Sequence, residues 1–173
     1  LSVVEQPQNQ TVNAGSSAVF GVRAAGAGPF TYQWRKGAAA IPNATGQTLA
    51  LSNVQAGDAG DYSVVITSGA ETAASAPAKL SVSAAPTITE QPKSQVGFVG
   101  TAVSFKVLAG GTAPLAYQWF FNGQPIAGAT ESTLTIPKVL TDSVGSYAML
   151  VSNSAGSVVS DVALLTSRQI VSD

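Results

Sequence analysis

Displaced by 85 residues, this chain of 173 residues superposes on itself without a gap. Glu5-Gln6-Pro7 falls on Glu90-Gln91-Pro92, and Gly15 on Gly100. Phe20 and Val22 fall on Phe105 and Val107, and Tyr32-Gln33-Trp34 falls on Tyr117-Gln118-Trp119. Further on, Ile41 meets Ile126, Thr48-Leu49 meets Thr133-Leu134, and Gly60-x-Tyr62 meets Gly145-x-Tyr147. Twenty-five of the 78 pairs that begin with Glu5 and end with Val82 are identical. A period this long exceeds that of a solenoid repeat and suits a small domain with its own core. The chain therefore reads as one domain written twice, residues 1–84 and 85–173, joined by the few residues around Ser83-Ala84-Ala85-Pro86. A linker so short restricts the angles open to two domains set end to end.

Within each unit the apolar pattern has a period of two. Ala18 to Ala24, Thr31 to Arg35, Thr48 to Leu51 and Tyr62 to Thr67 alternate, as do Ala78, Leu80 and Val82. Gly, Pro, Asn and Ser separate these short runs at fairly even spacing, the pattern of an all-β sandwich or barrel. The one helical candidate, Val54 to Ala59, is too short and too interrupted by glycine to form a helix.

Composition removes most chemistry. The chain has no His and no Cys, so it offers no imidazole base, thiolate, ordinary zinc site or disulfide. Eight basic and nine acidic residues leave a net charge of -1, no reason to bind nucleic acid or an anionic membrane. No apolar run is long enough to span a bilayer. The start, Leu1-Ser2-Val3-Val4-Glu5, is neither a signal peptide nor an initiator sequence, so the chain reads as a piece of something longer. Freedom from cysteine favours a prokaryotic source.

The repeated residues also carry a family resemblance. Each unit resembles an immunoglobulin-like Greek-key sandwich of the intermediate, or I-set, type, of which bacterial versions are common. The likeness rests on Trp34 and Trp119 in the third strand and on the Asp-x-Gly-x-Tyr turn, complete as Asp58-Ala59-Gly60-Asp61-Tyr62. It implies that Tyr62 and Tyr147 bond back to main chain as tyrosine corners. The family's two cysteine positions fall on Val22 and Val64, and on Val107 and Met149, all apolar and expected to face inward. A disulfide there would contribute about 2–4 kcal/mol, which packing must replace. In the second unit the turn reads Ser143-Val144-Gly145-Ser146-Tyr147, so any capping role of the aspartate is expected to be missing there.

Candidate sites are few. Asp58 and Asp61 lie on one turn, where a solvated or structural role outweighs a glycosidase-like carboxylate pair. The serines have neither a His partner nor a Gly-x-Ser-x-Gly elbow, and Lys36, Lys79, Lys93, Lys106 and Lys138 read as isolated surface charges. Only Glu90 lies near the junction, too little for calcium. Gly26-Ala27-Gly28 and Gly110-Gly111 precede no helix and read as loops rather than phosphate cradles. No catalytic residue, metal or cofactor is expected.

One asymmetry stands out. If Trp34 and Trp119 face inward, Arg35 and Phe120 face outward on the sheet built from the third, sixth and last strands. Beside them come Val65 and Lys79 in the first unit, and Leu150 and Leu164 in the second. Phe120, Leu150 and Leu164 thus form a candidate interaction face, provided the strand register is right. Apart from Phe120, Phe98 is the remaining ring expected to be exposed, which disfavours a glycan platform. The expectation is a spacer or interaction module of a larger exported bacterial protein at the cell surface, monomeric in isolation. The alternative is an adhesin-like pair that binds a protein partner through that face.

Overall fold

Each repeat folds from ten short strands, and the computed structural model describes residues 1–169. In the first domain these are β1 (Ser2–Glu5), β2 (Gln10–Asn13), β3 (Ala18–Gly21), β4 (Arg23–Ala25) and β5 (Thr31–Lys36). They continue with β6 (Ala39–Ala40), β7 (Thr48–Leu51), β8 (Gly60–Ser68), β9 (Glu71–Ala74) and β10 (Ala78–Ser83). The second domain repeats the order with β11 (Thr87–Glu90), β12 (Gln95–Phe98), β13 (Val103–Lys106), β14 (Leu108–Gly110) and β15 (Ala116–Phe121). Its remaining strands are β16 (Gln124–Pro125), β17 (Thr133–Ile136), β18 (Gly145–Asn153), β19 (Gly156–Val159) and β20 (Ala163–Arg168). In place of a helix each domain has a single 3-10 turn, Ala56–Asp58 and Thr141–Ser143.

In domain 1 the larger sheet runs β2-β10-β8-β5-β6, with β9 also paired to β8, while β1-β4 and β3-β7 form the facing layer. Domain 2 has the same order, strand for strand. The run from Ala18 to Ala24, expected as one strand, is broken at Val22, where pairing passes from β7 to β1. The first strand likewise changes layers. β1 pairs antiparallel with β4, but β2 runs parallel to β10. This crossing gives the repeated Glu-Gln-Pro its purpose. Pro7 and Pro92 are buried at the crossing, and the Gln6 side-chain carbonyl accepts the N–H of Ala76 at 2.9 Å. Gln91 does the same for Asp161.

The last strand carries a second irregularity, between β9 and β10. There the buried Ser75 hydroxyl accepts the N–H of Val64 and donates to the carbonyl of Ala76. Ser160 repeats both bonds with Met149 and Asp161. Without that hydroxyl a fully buried N–H would have no partner, a loss larger than the mean value of a hydrogen bond.

The chain divides between Ser83 and Ala84, one residue before the boundary expected from the sequence. Ala84 is held by the second domain: its N–H donates to the Thr112 hydroxyl, and its carbonyl accepts from the Asn153 amide.

The two cores are built alike. Trp34, Trp119, Val64 and Met149 are fully buried, as is Val107, and Val22 is nearly so. The indole N–H of Trp34 donates to the Gly46 carbonyl at 2.9 Å, and that of Trp119 to the Glu131 carbonyl at 3.0 Å. Phe20 stacks on Tyr62 at 5.0 Å between centroids, and Phe105 on Tyr147 at 4.8 Å. Gln33 and Gln118 each bridge two main-chain carbonyls beside the tryptophan.

Candidate functional site

The outward face of the larger sheet in domain 2 follows from register. Trp119 pairs with Met149 and Phe120 with Ala148, so Phe120, Ala148 and Leu150 lie on the side opposite the core. Ser146 pairs with Leu164, and Leu150 with Val159, which extends the same face across β20 and β19. Phe120 and Leu150 are half-buried, because they line a groove of about 290 Å³ with Val159 and Val162. Leu164 is 52% exposed, Val159 62% and Val162 59%.

Val159 and Val162 are additions to the face expected from the sequence, and the consecutive valines Val158-Val159 break the period of two. An alternation that starts the last strand near Ala163 leaves β19 out. In domain 1 the equivalent positions are Arg35, Ser63, Val65, Ala74, Pro77 and Lys79, a mixed and partly charged surface. Phe98 is 47% exposed on β12, apart from this groove.

The tyrosines occupy a different end of the sandwich. Tyr62 donates its hydroxyl proton to the Asp58 carbonyl at 2.7 Å, and Tyr147 to the Ser143 carbonyl at 2.7 Å. The expected loss of the cap in domain 2 does not occur. Asp58 accepts the N–H of Gln55 at 2.8 Å, and the shorter Ser143 hydroxyl accepts the N–H of Leu140 at 3.0 Å. Serine caps nearly as well as aspartate because one oxygen at this distance suffices.

Lys36 is not an isolated surface charge either. Its ammonium lies 5.9 Å from the Tyr62 ring centroid and donates to the Gly57 carbonyl. In domain 2 Phe121 takes that place, tilted against Tyr147 at 4.9 Å.

Both tyrosine hydroxyls are held protonated above the ordinary tyrosine range. Burial is the larger cause, and the carboxylates of Asp58 and Asp142 add to it. The protonated form makes the corner bond, so its contribution to stability is complete below the unfolded tyrosine pKa of about 10. It is lost as pH rises through the higher folded values. Stability should therefore be insensitive to these groups near neutrality and fall in alkali, and Tyr62→Phe with Tyr147→Phe should flatten that fall. Denaturant midpoints measured from pH 7 to 11 would decide it, and an unchanged alkaline slope in the double variant would rule the corners out as its source.

Asp58 and Asp61 form no convergent pair, since Asp58 caps main chain and Asp61 is exposed. Among the described residues, no group of three or more acidic side chains is placed to hold a metal ion. No described helix is long and apolar enough to cross a membrane.

Comparison with known proteins gives a consistent family. Residues 1–82 match the immunoglobulin I-set domain and residues 85–153 the immunoglobulin domain. Endoglucanase C of Cellulomonas fimi is 31% identical over 173 residues, covering 94% of this chain and 16% of that protein. Hemicentin-1 of Mus musculus is 30% identical over 168 residues, covering 89% of this chain and 3% of that protein. The chain thus spans a small part of either relative. The titin I-band fragment I67-I69 shares the fold at a TM-score of 0.82 and 21% identity, over 96% of this chain and 65% of that one. Each half of the chain belongs to the immunoglobulin domain family, and the whole is a cysteine-free tandem of two such domains.

Proposed function

We propose that this tandem is a non-catalytic spacer or interaction module of a larger exported bacterial protein. One observation carries the reading: most of the polar side chains that the repeat preserves are spent on its own main chain. Trp34, Gln33, Tyr62, Ser75 and Gln6 all bond backbone, as do their counterparts in domain 2. Such residues maintain a scaffold rather than receive a substrate. The likeness to a small part of a bacterial endoglucanase supports a place as an accessory unit beside other domains. Fold alone leaves function to surfaces.

A spacer should remain monomeric as its concentration rises. Light scattering from micromolar to near-millimolar chain should show a single constant mass. The second reading is favoured by the apolar outward face of domain 2, which would bind a protein partner. In that case the chain itself associates or captures a partner, and Phe120→Asp or Leu150→Lys abolishes this with stability nearly unchanged. Unfolding of domain 2 by Leu150→Lys would mean that the leucine serves the core, and the face would be set aside.

A further inference from the structure

Beside β17, domain 2 has a groove between its sheets. β17 pairs with β13 alone. Among the described residues, no turn or loop main-chain bond reaches Thr133–Ile136. Every second residue of such an edge strand turns its N–H and C=O outward, ready to pair with another strand. Next to the edge lies a groove of about 360 Å³, whose walls include Phe121, Ile126, Leu134, Ile136, Tyr147 and Asp142. Leu134 and Ile136 are half-buried there, their apolar faces only partly covered.

Domain 1 shows what fits such a place. At the position of Phe121 it carries Lys36, whose stem leads an ammonium past the Tyr62 ring to the Gly57 carbonyl. The residue at the Gly57 position in domain 2 is Asp142. Domain 2 therefore lacks the lysine but holds a carboxylate where the lysine's charge would arrive. Among the described residues Asp142 has no ion-pair partner.

We propose that this edge binds an extended peptide segment of a partner protein, which adds to β17 as a further strand and inserts a lysine. The lysine stem lies on Phe121, Ile136 and Tyr147, and its ammonium meets Asp142. Main-chain pairing supplies affinity regardless of sequence, and the groove with its carboxylate selects the inserted side chain. Domain 1 has Gly57 in place of this carboxylate, and Lys36 already brings a positive charge there, so an inserted lysine is not selected. The site is separate from the outward sheet face, and neither depends on the other.

The test is an amide NMR titration of the whole chain with the capped peptide Thr-Val-Thr-Lys-Thr-Val-Thr. Saturable shifts confined to β17 and the turn at 141–147 are expected. Asp142→Asn should weaken binding roughly fivefold, as should replacing the peptide's lysine by norleucine, in line with a partly exposed ion pair. Phe121→Lys should abolish it, because the new ammonium would pair with Asp142 itself. If that variant fails to fold, Asp142→Asn and the norleucine peptide still decide the matter. No saturable shift, or equal binding by lysine and norleucine peptides, overturns the proposal. So does concentration-dependent protection of the β17 amides without peptide, which would assign the edge to a second copy.

Discussion

Replacing Trp34 or Trp119 by alanine should destabilise the altered domain by about 3–5 kcal/mol. Each indole is fully buried and packs against a phenylalanine ring 6.2 Å away. Each also donates to a main-chain carbonyl, so alanine leaves both a cavity and an acceptor without its partner. With no disulfide to constrain the unfolded chain, little compensates. A loss of this size is a large share of the roughly 5–15 kcal/mol that holds a small domain together. The chain has two tryptophans, one in each domain. In Trp34→Ala, fluorescence then follows domain 2 alone while circular dichroism follows both. The expected result is an early transition seen by dichroism and absent from fluorescence. A loss below about 1 kcal/mol would mean that the indole is not the centre of its core.

Gly97→Val should destabilise domain 2 by about 1–2 kcal/mol, and Val103→Ala should restore most of it. A β-carbon at position 97 would lie 2.8 Å from a Val139 methyl and 3.1 Å from one of Val103. In domain 1 the corresponding residues are Val12, Val54 and Ala18. The valine has moved between two facing strands while the total volume has stayed nearly constant. Valine's preference for strands contributes up to about 1 kcal/mol in the other direction. Overpacking against two branched side chains costs about 1–3 kcal/mol and wins. A double-mutant cycle measures the coupling, and additive effects within about 0.5 kcal/mol would show that the two sites do not share this space.

Both effects emerge from setting one repeat against the other, and much of the fold is legible in the same way. Trp34, Tyr62, Val22 and Val64 lie in the core because a period of two admits a single inward set once the tryptophan is placed. The same parity sets Phe120, Leu150 and Leu164 on the opposite face. Val159 and Val162 are harder to place because β9 and β19 end in irregularities. There the alternation lapses, and a buried serine hydroxyl replaces a ladder bond. The groove beside β17 is illegible for a different reason. It is walled by Phe121 and Tyr147 from one sheet and by Leu134 and Ile136 from the other, which no single strand's pattern brings together.

The number of domains, their all-β character and their cores belong to the sequence alone, since they follow from repetition and local alternation. The lack of His and Cys likewise removes whole classes of chemistry whatever the fold. Tertiary contacts settle what depends on residues far apart in the chain. The crossing of the first strand between layers is held by Gln6 and Gln91, 70 residues from the N–H groups they accept. The groove beside β17, walled by residues of both sheets, is of the same kind. Each is settled by distances of a few ångströms between residues remote in the chain, and a pattern read along one strand contains no such distances.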